Sequence, residues 1–118
     1  MTNYVFIKPG MIPKEIVKSV RNLNAVALTS TGMRDAGQSD YKNRLRMYDL
    51  STLAPYYNEM GLFSAECHGG ARWHVGLMNR REGPFEEIEL LREKMPNVLL
   101  QTLIRETNLW GYPVSYTH

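Results

Sequence analysis

Arg34, Asp35 and Gln38 bring a guanidinium, a carboxylate and an amide together within one short stretch of the chain. A guanidinium fork pairs with the carboxylate of a small acid, and a carboxylate oxygen suits a hard divalent cation. An amide can hydrogen-bond to groups beside either ion. These residue types indicate a site that binds a cation and an anion together, and the plain alternative is an Arg34–Asp35 pair in a solvated loop.

Apolar runs that end in polar or glycine residues predict buried strands at residues 25–28, 62–67 and 98–104. The residues that follow these runs are, in order, Arg34-Asp35, His68-Gly69-Gly70 and Arg105. Ligands and catalytic groups gather beyond the carboxyl ends of strands in α/β sheets and barrels. Three such strand ends at one edge indicate a site more strongly than any one of them alone.

A first helix is predicted between the first two strands. Its start is placed near Asp49 or Ser51, and the later position is favoured because Pro55 is tolerated only in the first turn. Gly61 is typical of a helix C-terminus. The residues expected to point inward are Leu50, Leu53, Ala54, Tyr57 and Met60.

A second helix is predicted to start at Pro84 and to stop at Pro96-Asn97. Ile88, Leu91 and Met95 share one side of it, and the remaining charged residues are expected in solvent: Glu86, Glu87, Glu89, Arg92, Glu93 and Lys94. A helical turn is expected over residues 75–79. A short strand at residues 4–8 and a helix from Pro13 precede this pattern.

The order of these elements from residue 25 is strand, helix, strand, helix, strand. Such alternation implies parallel strands joined by right-handed crossovers, and therefore an α/β fold. Residues 1–24 are interpreted as an N-terminal strand–helix extension, and residues 25–118 as about three parallel β/α units.

The composition is that of one soluble domain, with 118 residues, of which 43% are hydrophobic and 22% charged. No apolar run approaches the roughly 20 residues of a membrane span, and the start lacks the pattern of a signal peptide, so we expect a cytoplasmic protein. A net charge of +2, carried by scattered Lys and Arg residues, gives no indication of nucleic-acid binding. The single cysteine, Cys67, excludes an internal disulfide and is expected to be a buried apolar residue rather than a nucleophile.

Three motifs resemble the carboxyltransferase domain of biotin-dependent enzymes, a family that includes pyruvate carboxylases, oxaloacetate decarboxylase α subunits and transcarboxylase 5S subunits. Residues 33–39, MRDAGQS, resemble Leu-Arg-Asp-Ala-His-Gln-Ser. Residues 66–71, ECHGGA, resemble Glu-Val-Trp-Gly-Gly-Ala, and residues 104–112, IRETNLWGY, are similar to Leu-Arg-Gly-Gln-Asn-Leu-Leu-Gly-Tyr. The correspondence runs from about Ala25 to Tyr112.

The resemblance implies that the chain is part of a TIM-type (β/α) barrel, with another chain supplying the rest. It also implies transfer of a carboxyl group between biotin, held on a carrier protein, and pyruvate, oxaloacetate or a similar keto acid. The implied cofactors are this biotin and a divalent metal (Mn, Mg, Zn or Co). A few strands of an eight-stranded barrel leave edges unpaired, so we expect an oligomer.

The resemblance also implies roles for four residues. Asp35 corresponds to a metal ligand, Arg105 to the arginine that holds the keto-acid carboxylate, Gln38 to a substrate-side catalytic amide, and Arg34 to a substrate-binding residue beside it. Arg105 could instead form an ion pair with Glu106 or Glu66. The family's other metal ligands, a carbamylated Lys and a His-x-His pair, come from later strands, so we expect them from another chain.

The sequence departs from the family pattern at positions in or near the site: Ser30, Gly37, His68, His74 and Glu106. His68 and His74 lack the spacing of a zinc site and are expected to be loop residues or to lie near the site. Two alternatives to an active part of the enzyme therefore stay open. One is a non-catalytic interaction subunit of a carboxylase complex, and the other is a barrel lyase or synthase acting on acyl-CoA, which residues 68–71 disfavour.

Overall fold

The structure, a computed structural model, describes residues 10–104 as an α/β arrangement around a three-stranded parallel sheet. Its strands are β1 (Thr29–Ser30), β2 (Ser64–Gly69) and β3 (Leu99–Leu103), and β2 lies in the centre. Its α-helices are α1 (Pro13–Arg21), α2 (Gly37–Ser39), α3 (Met47–Glu59), α4 (Gly70–Val75) and α5 (Pro84–Lys94). The predicted alternation of strands and helices and the parallel pairing are confirmed.

The first strand lies later in the chain than predicted. The apolar run 25–28 is outside the sheet, and Val26 is 81% exposed. Pairing with β2 begins only at the Leu28 carbonyl, which accepts a hydrogen bond of 2.9 Å from the Phe63 amide. An apolar run is buried only where another element covers it, and the chain reaches the sheet at the end of this run.

Helix α3 starts at Met47, before the predicted cap positions. The Asp49 carboxylate caps the helix from inside its first turn, because Oδ2 accepts a hydrogen bond of 2.9 Å from the Arg46 amide. Gly61 follows the helix with φ of 70°, the left-handed conformation that suits a glycine at this position.

Two further expectations for α3 were wrong: the position of Pro55 in the first turn, and the burial of Leu53 and Met60. Pro55 lies well inside the helix on its exposed side, where solvent can hydrate the carbonyl that loses its partner. Leu50 and Ala54 are buried as predicted and Tyr57 is half-buried, whereas Leu53 and Met60 are exposed. The buried stripe of the helix is therefore narrower than its apolar residues indicate.

The second β/α unit is more helical than predicted. Strand β2 extends through His68 to Gly69, and α4 continues into a π-helical turn at Gly76–Arg80. Helix α5 begins at Pro84 as expected, but Glu87 is buried, contrary to the prediction that it lies in solvent. Its buried partners His68 and Arg72 explain this difference.

One apolar core joins the sheet to α3 and α5. Its buried members are Met33, Leu50, Ala54, Leu62, Ala65, Cys67, Leu91, Met95 and Val98. Burial of Cys67, Leu91 and Met95 agrees with the sequence interpretation. The core therefore packs α3 and α5 against the sheet.

Helix α1 starts at Pro13, as predicted. The predicted strand at residues 4–8 and Arg105 lie outside the described residues. Across residues 10–104, no helix is long and apolar enough to cross a membrane.

Candidate functional site

The predicted site residues Arg34, Asp35 and Gln38 lie on a continuous helical segment, Gly32–Ser39, directly after β1. Buried Met33 anchors this segment in the core. The segment therefore sits at the carboxyl edge of the sheet, as predicted, and forms a short helix rather than a loop.

Arg34 is mostly buried and is held by a carboxylate from the neighbouring strand. Its Nη2 donates a hydrogen bond of 2.9 Å to Glu66 Oε2, and the two side chains are 13% and 12% exposed. The stem of Arg34 crosses Gly69 so closely that a Cβ added there would lie 3.3 Å from Arg34 Cδ. Arg34 is thus clamped between a charge partner and the backbone of β2.

Asp35 projects from the same segment toward solvent. Its side chain is 58% exposed, and Oδ1 lies 3.4 Å from Arg34 Nη1. The expected Arg34–Asp35 ion pair therefore exists, but its distance is longer than that of the Arg34–Glu66 pair, and its carboxylate is more exposed to solvent. Gln38, one turn later, is half-buried, so both Asp35 and Gln38 can be reached by a ligand at this edge.

Glu66 belongs to the candidate site, whereas the sequence indicated it only as an alternative partner for Arg105. It lies on the central strand, and its charge is compensated by Arg34. A lone acid within a strand predicted to be buried was the available signal, because a buried carboxylate requires a partner. Arg105 lies outside the described residues, so its alternative pairing with Glu66 stays untested.

A second polar cluster is buried between β2, α4 and α5. Glu87 Oε1 accepts a hydrogen bond of 2.6 Å from Arg72 Nε and lies 3.2 Å from His68 Nε2, while Glu87 Oε2 lies 3.5 Å from Arg80 Nη2. Burial raises the pKa of Glu87, but the contact with His68 and the hydrogen bond and charge of Arg72 outweigh it and lower the pKa. Glu87 is therefore an ionised carboxylate inside the fold.

This cluster explains the position of His68, which was expected to be a loop residue or to lie near the site and which lies on β2. A bulge in the pairing of β2 with β3 falls between Glu66 and His68. His68 contacts Glu87 of α5, whereas Glu66 contacts Arg34. A β-bulge re-aims side chains in this way.

The cluster also ties two polar loops together. Arg80 donates a hydrogen bond to the Asn43 carbonyl and another, of 2.7 Å, to Glu82 Oε2. Glu82 Oε1 in turn accepts a hydrogen bond of 3.0 Å from the Met47 amide. The loop before α3 is thereby fixed to the loop before α5.

Cys67 packs beside this cluster and is a poor nucleophile. Burial, with a smaller contribution from the negative charge of Glu87, raises the pKa of its thiol to about 11. The thiol is therefore protonated at neutral pH, in agreement with the sequence interpretation.

The described residues do not form a complete metal site. Within residues 10–104, no group of three or more His, Cys, Asp or Glu side chains is arranged to hold a metal ion. Asp35 is an exposed carboxylate that can serve as one ligand, whereas Glu66 and Glu87 are occupied by arginines. Any metal at this edge needs further ligands from outside the described residues.

Comparison with known proteins gives consistent matches to carboxyltransferase regions, although no protein-family model matches the chain. Pyruvate carboxylase 1 of Caenorhabditis elegans is 38% identical over 102 residues, which are 85% of this chain and 9% of that protein. The methylmalonyl-CoA carboxyltransferase 5S subunit of Propionibacterium freudenreichii subsp. shermanii is 36% identical over 102 residues, 86% of this chain and 20% of the subunit.

The fold matches as well. The carboxyl transferase domain of Rhizobium etli pyruvate carboxylase, solved with oxamate and biotin, superposes with a TM-score of 0.72 and 42% identity. The match covers 79% of this chain and 16% of the solved chain. This chain therefore spans a fifth or less of the length of these relatives.

Proposed function

Because the chain is homologous to the carboxyltransferase regions of pyruvate carboxylases and transcarboxylases, we propose that it forms part of a metal-dependent carboxyltransferase. The enzyme would move a carboxyl group between biotin and pyruvate, oxaloacetate or a similar keto acid. The observation that carries this proposal is the match in both sequence and fold over about four fifths of the chain. The segment with Arg34 and Asp35 lies within it, at the carboxyl edge of the sheet.

The proposal gives Asp35 the role of one metal ligand. Its exposure and its position after β1 leave the carboxylate oxygens open to a cation. A bound Mn, Mg, Zn or Co ion would polarise the oxygen of the keto acid, since divalent cations act as Lewis acids. Asp35 can supply only part of the coordination, so the other ligands are assigned to residues outside the described range.

The remaining roles concern the keto acid. Gln38 is assigned to hydrogen-bonding the substrate, as a catalytic amide at the same edge. Arg105 is assigned to its carboxylate on the strength of the sequence motif alone. Arg34 adds positive charge beside Asp35, although its Nη2 already donates to Glu66.

The proposal also includes a TIM-type barrel completed by another chain. Among the described strands, β1 and β3 each pair with β2 alone, so each has one unpaired edge. Parallel strands with open edges associate readily with further strands. Light scattering on the purified chain should show an oligomer, and a monomer with a cooperative melt would contradict the incomplete barrel.

The activity can be tested by reconstitution. The full chain is mixed with the chain that supplies the missing strands and with a biotin carrier protein, and oxaloacetate decarboxylation is measured. The expected result is activity that requires both chains and that a chelator abolishes. An assembled complex without such activity would contradict the proposal.

A non-catalytic interaction subunit is the second candidate. The observation in its favour is that the described residues hold no complete metal site, while Arg34 is already paired with Glu66. This candidate predicts stable assembly with a carboxylase complex and no loss of turnover when Asp35 is replaced. The cytoplasmic location stays a prediction from the sequence.

A further inference from the structure

Glu66 is an acidic side chain in a place where a charge is costly. It lies on the central strand β2, and its side chain is only 12% exposed. A buried carboxylate is tolerated when a positive partner compensates it with good geometry, and Arg34 Nη2 provides this at 2.9 Å. The pair links the helical segment after β1, which carries Arg34, to the central strand β2.

Three contacts fix the Arg34 side chain. Glu66 holds one amino group, Gly69 lies against the side-chain stem, and Asp35 Oδ1 lies 3.4 Å from the other amino group. A side chain at position 69 would also meet the Leu103 carbonyl, 3.4 Å away, so the space for the stem is set by the backbone of β2 and β3. The guanidinium has little freedom to turn.

From this arrangement we propose that Glu66 is a positioning residue that acts through Arg34 on Asp35. Glu66 sets the plane of the guanidinium, and the guanidinium sets the direction of the Asp35 carboxylate at the sheet edge. What Asp35 then does rests on the proposed function, whereas the coupling of Glu66 to Arg34 is a property of this chain. Because Arg34 Nη2 already donates a hydrogen bond to Glu66, the main role of Arg34 in this proposal is to orient Asp35 and not to bind the substrate.

The coupling can be tested on the full chain without any activity. NMR of the arginine side chains should show slowly exchanging Arg34 N–H protons in the wild type. E66Q keeps the shape of the side chain and removes its charge, and it should speed this exchange at least about 10-fold. E89Q removes an exposed acid of α5 and is the matched control, with no expected change. Equal Arg34 exchange in E66Q and the wild type, or no protected Arg34 signal at all, would overturn the proposal.

The consequence for Asp35 is tested in the reconstituted complex. With Mn²⁺ alone as the probe, E66Q should weaken metal affinity about 10–100-fold and lower kcat to a similar extent, as loss of a supporting partner does. The KM for the keto acid should stay within about twofold, and E66D should restore part of kcat. E66Q with normal Mn²⁺ affinity and kcat would overturn the positioning role.

The two tests separate this inference from the proposed function. A wild-type complex that shows no activity contradicts the proposed function, while the exchange comparison still decides whether Glu66 fixes Arg34. If E66Q lowers only the melting temperature and changes neither Arg34 exchange nor Mn²⁺ affinity, Glu66 is merely structural and the inference is wrong.

Discussion

Replacing Glu87 by Gln should destabilise the fold strongly, although helix α5 itself tolerates either residue. Glu87 is the only carboxylate that contacts both Arg72 and Arg80 among the described residues, at 2.6 Å and 3.5 Å. E87Q keeps one acceptor oxygen but removes the negative charge. Among the described residues, the two mostly buried guanidinium groups are then left with one carboxylate partner, Glu82, which contacts Arg80.

The magnitude follows from the burial of the partners. Removing one member of a buried ion pair costs about 3–5 kcal/mol, because the other charge stays buried and uncompensated. The retained amide oxygen can still accept from Arg72 Nε, which favours the lower end, about 3 kcal/mol. For a chain of this size that loss lowers Tm by about 10 °C or more.

The effect should depend on pH with a defined sign. The pKa of Glu87 is lower in the folded protein than in the unfolded chain, where it is about 4.3. Its contribution to the free energy of unfolding is therefore complete above about pH 4.3 and is lost as the pH falls through the lower folded pKa. The difference between wild type and E87Q should be full at pH 7 and should shrink in acid.

Urea unfolding followed by circular dichroism at pH 7 and near pH 3 measures both effects. E89Q serves as the control, because Glu89 is exposed on the same helix and its replacement should change stability by less than about 0.5 kcal/mol. Equal stability of E87Q and wild type at pH 7, or a difference that persists undiminished at pH 3, would refute the assigned role of Glu87.

Three further predictions follow from single positions. Cys67 should react with iodoacetamide at pH 8 about 100-fold more slowly in the folded chain than in urea, since burial raises its pKa from 9.0 to about 11. Equal reaction rates in the folded and the unfolded chain would contradict the burial of Cys67. Leu91→Ala should lower the free energy of unfolding in urea by about 2–5 kcal/mol, because Leu91 is fully buried. Leu53→Ala, on the exposed side of α3, should lower it little, and similar losses for the two variants would contradict the described core. Gly61→Ala should cost about 1 kcal/mol in the same assay, because φ of 70° is strained for alanine, and an unchanged stability would argue against this turn.

The order of the elements was predictable because its signals are local. Pro84 starts α5 and Gly61 follows α3 as expected, and parallel pairing follows from the alternation of strand and helix. The exact position of β1 was not predictable from hydrophobicity. The apolar run before it is exposed, since burial depends on what packs against a run and not on the run itself.

The polar interior was harder to foresee. Glu87 stands among charged residues of α5, so its local pattern indicates a solvated face. Its partners His68 and Arg72 lie in the preceding β/α unit, and only the tertiary fold brings them together. At the candidate site, the neighbours Arg34 and Asp35 were identified together, but the stronger partner of Arg34 is Glu66, on the next strand.

The most direct test of the proposed carboxyltransferase role compares D35A with D40A in the reconstituted complex. Both replacements remove an exposed acid, Asp35 within the helical segment Gly32–Ser39 and Asp40 directly after it, so neither should perturb the core of the fold. D35A should lower metal-dependent oxaloacetate decarboxylation at least about 100-fold, while D40A should retain it. Full activity of D35A, in a complex that assembles normally, would contradict the assignment of Asp35 and with it the catalytic role of this chain.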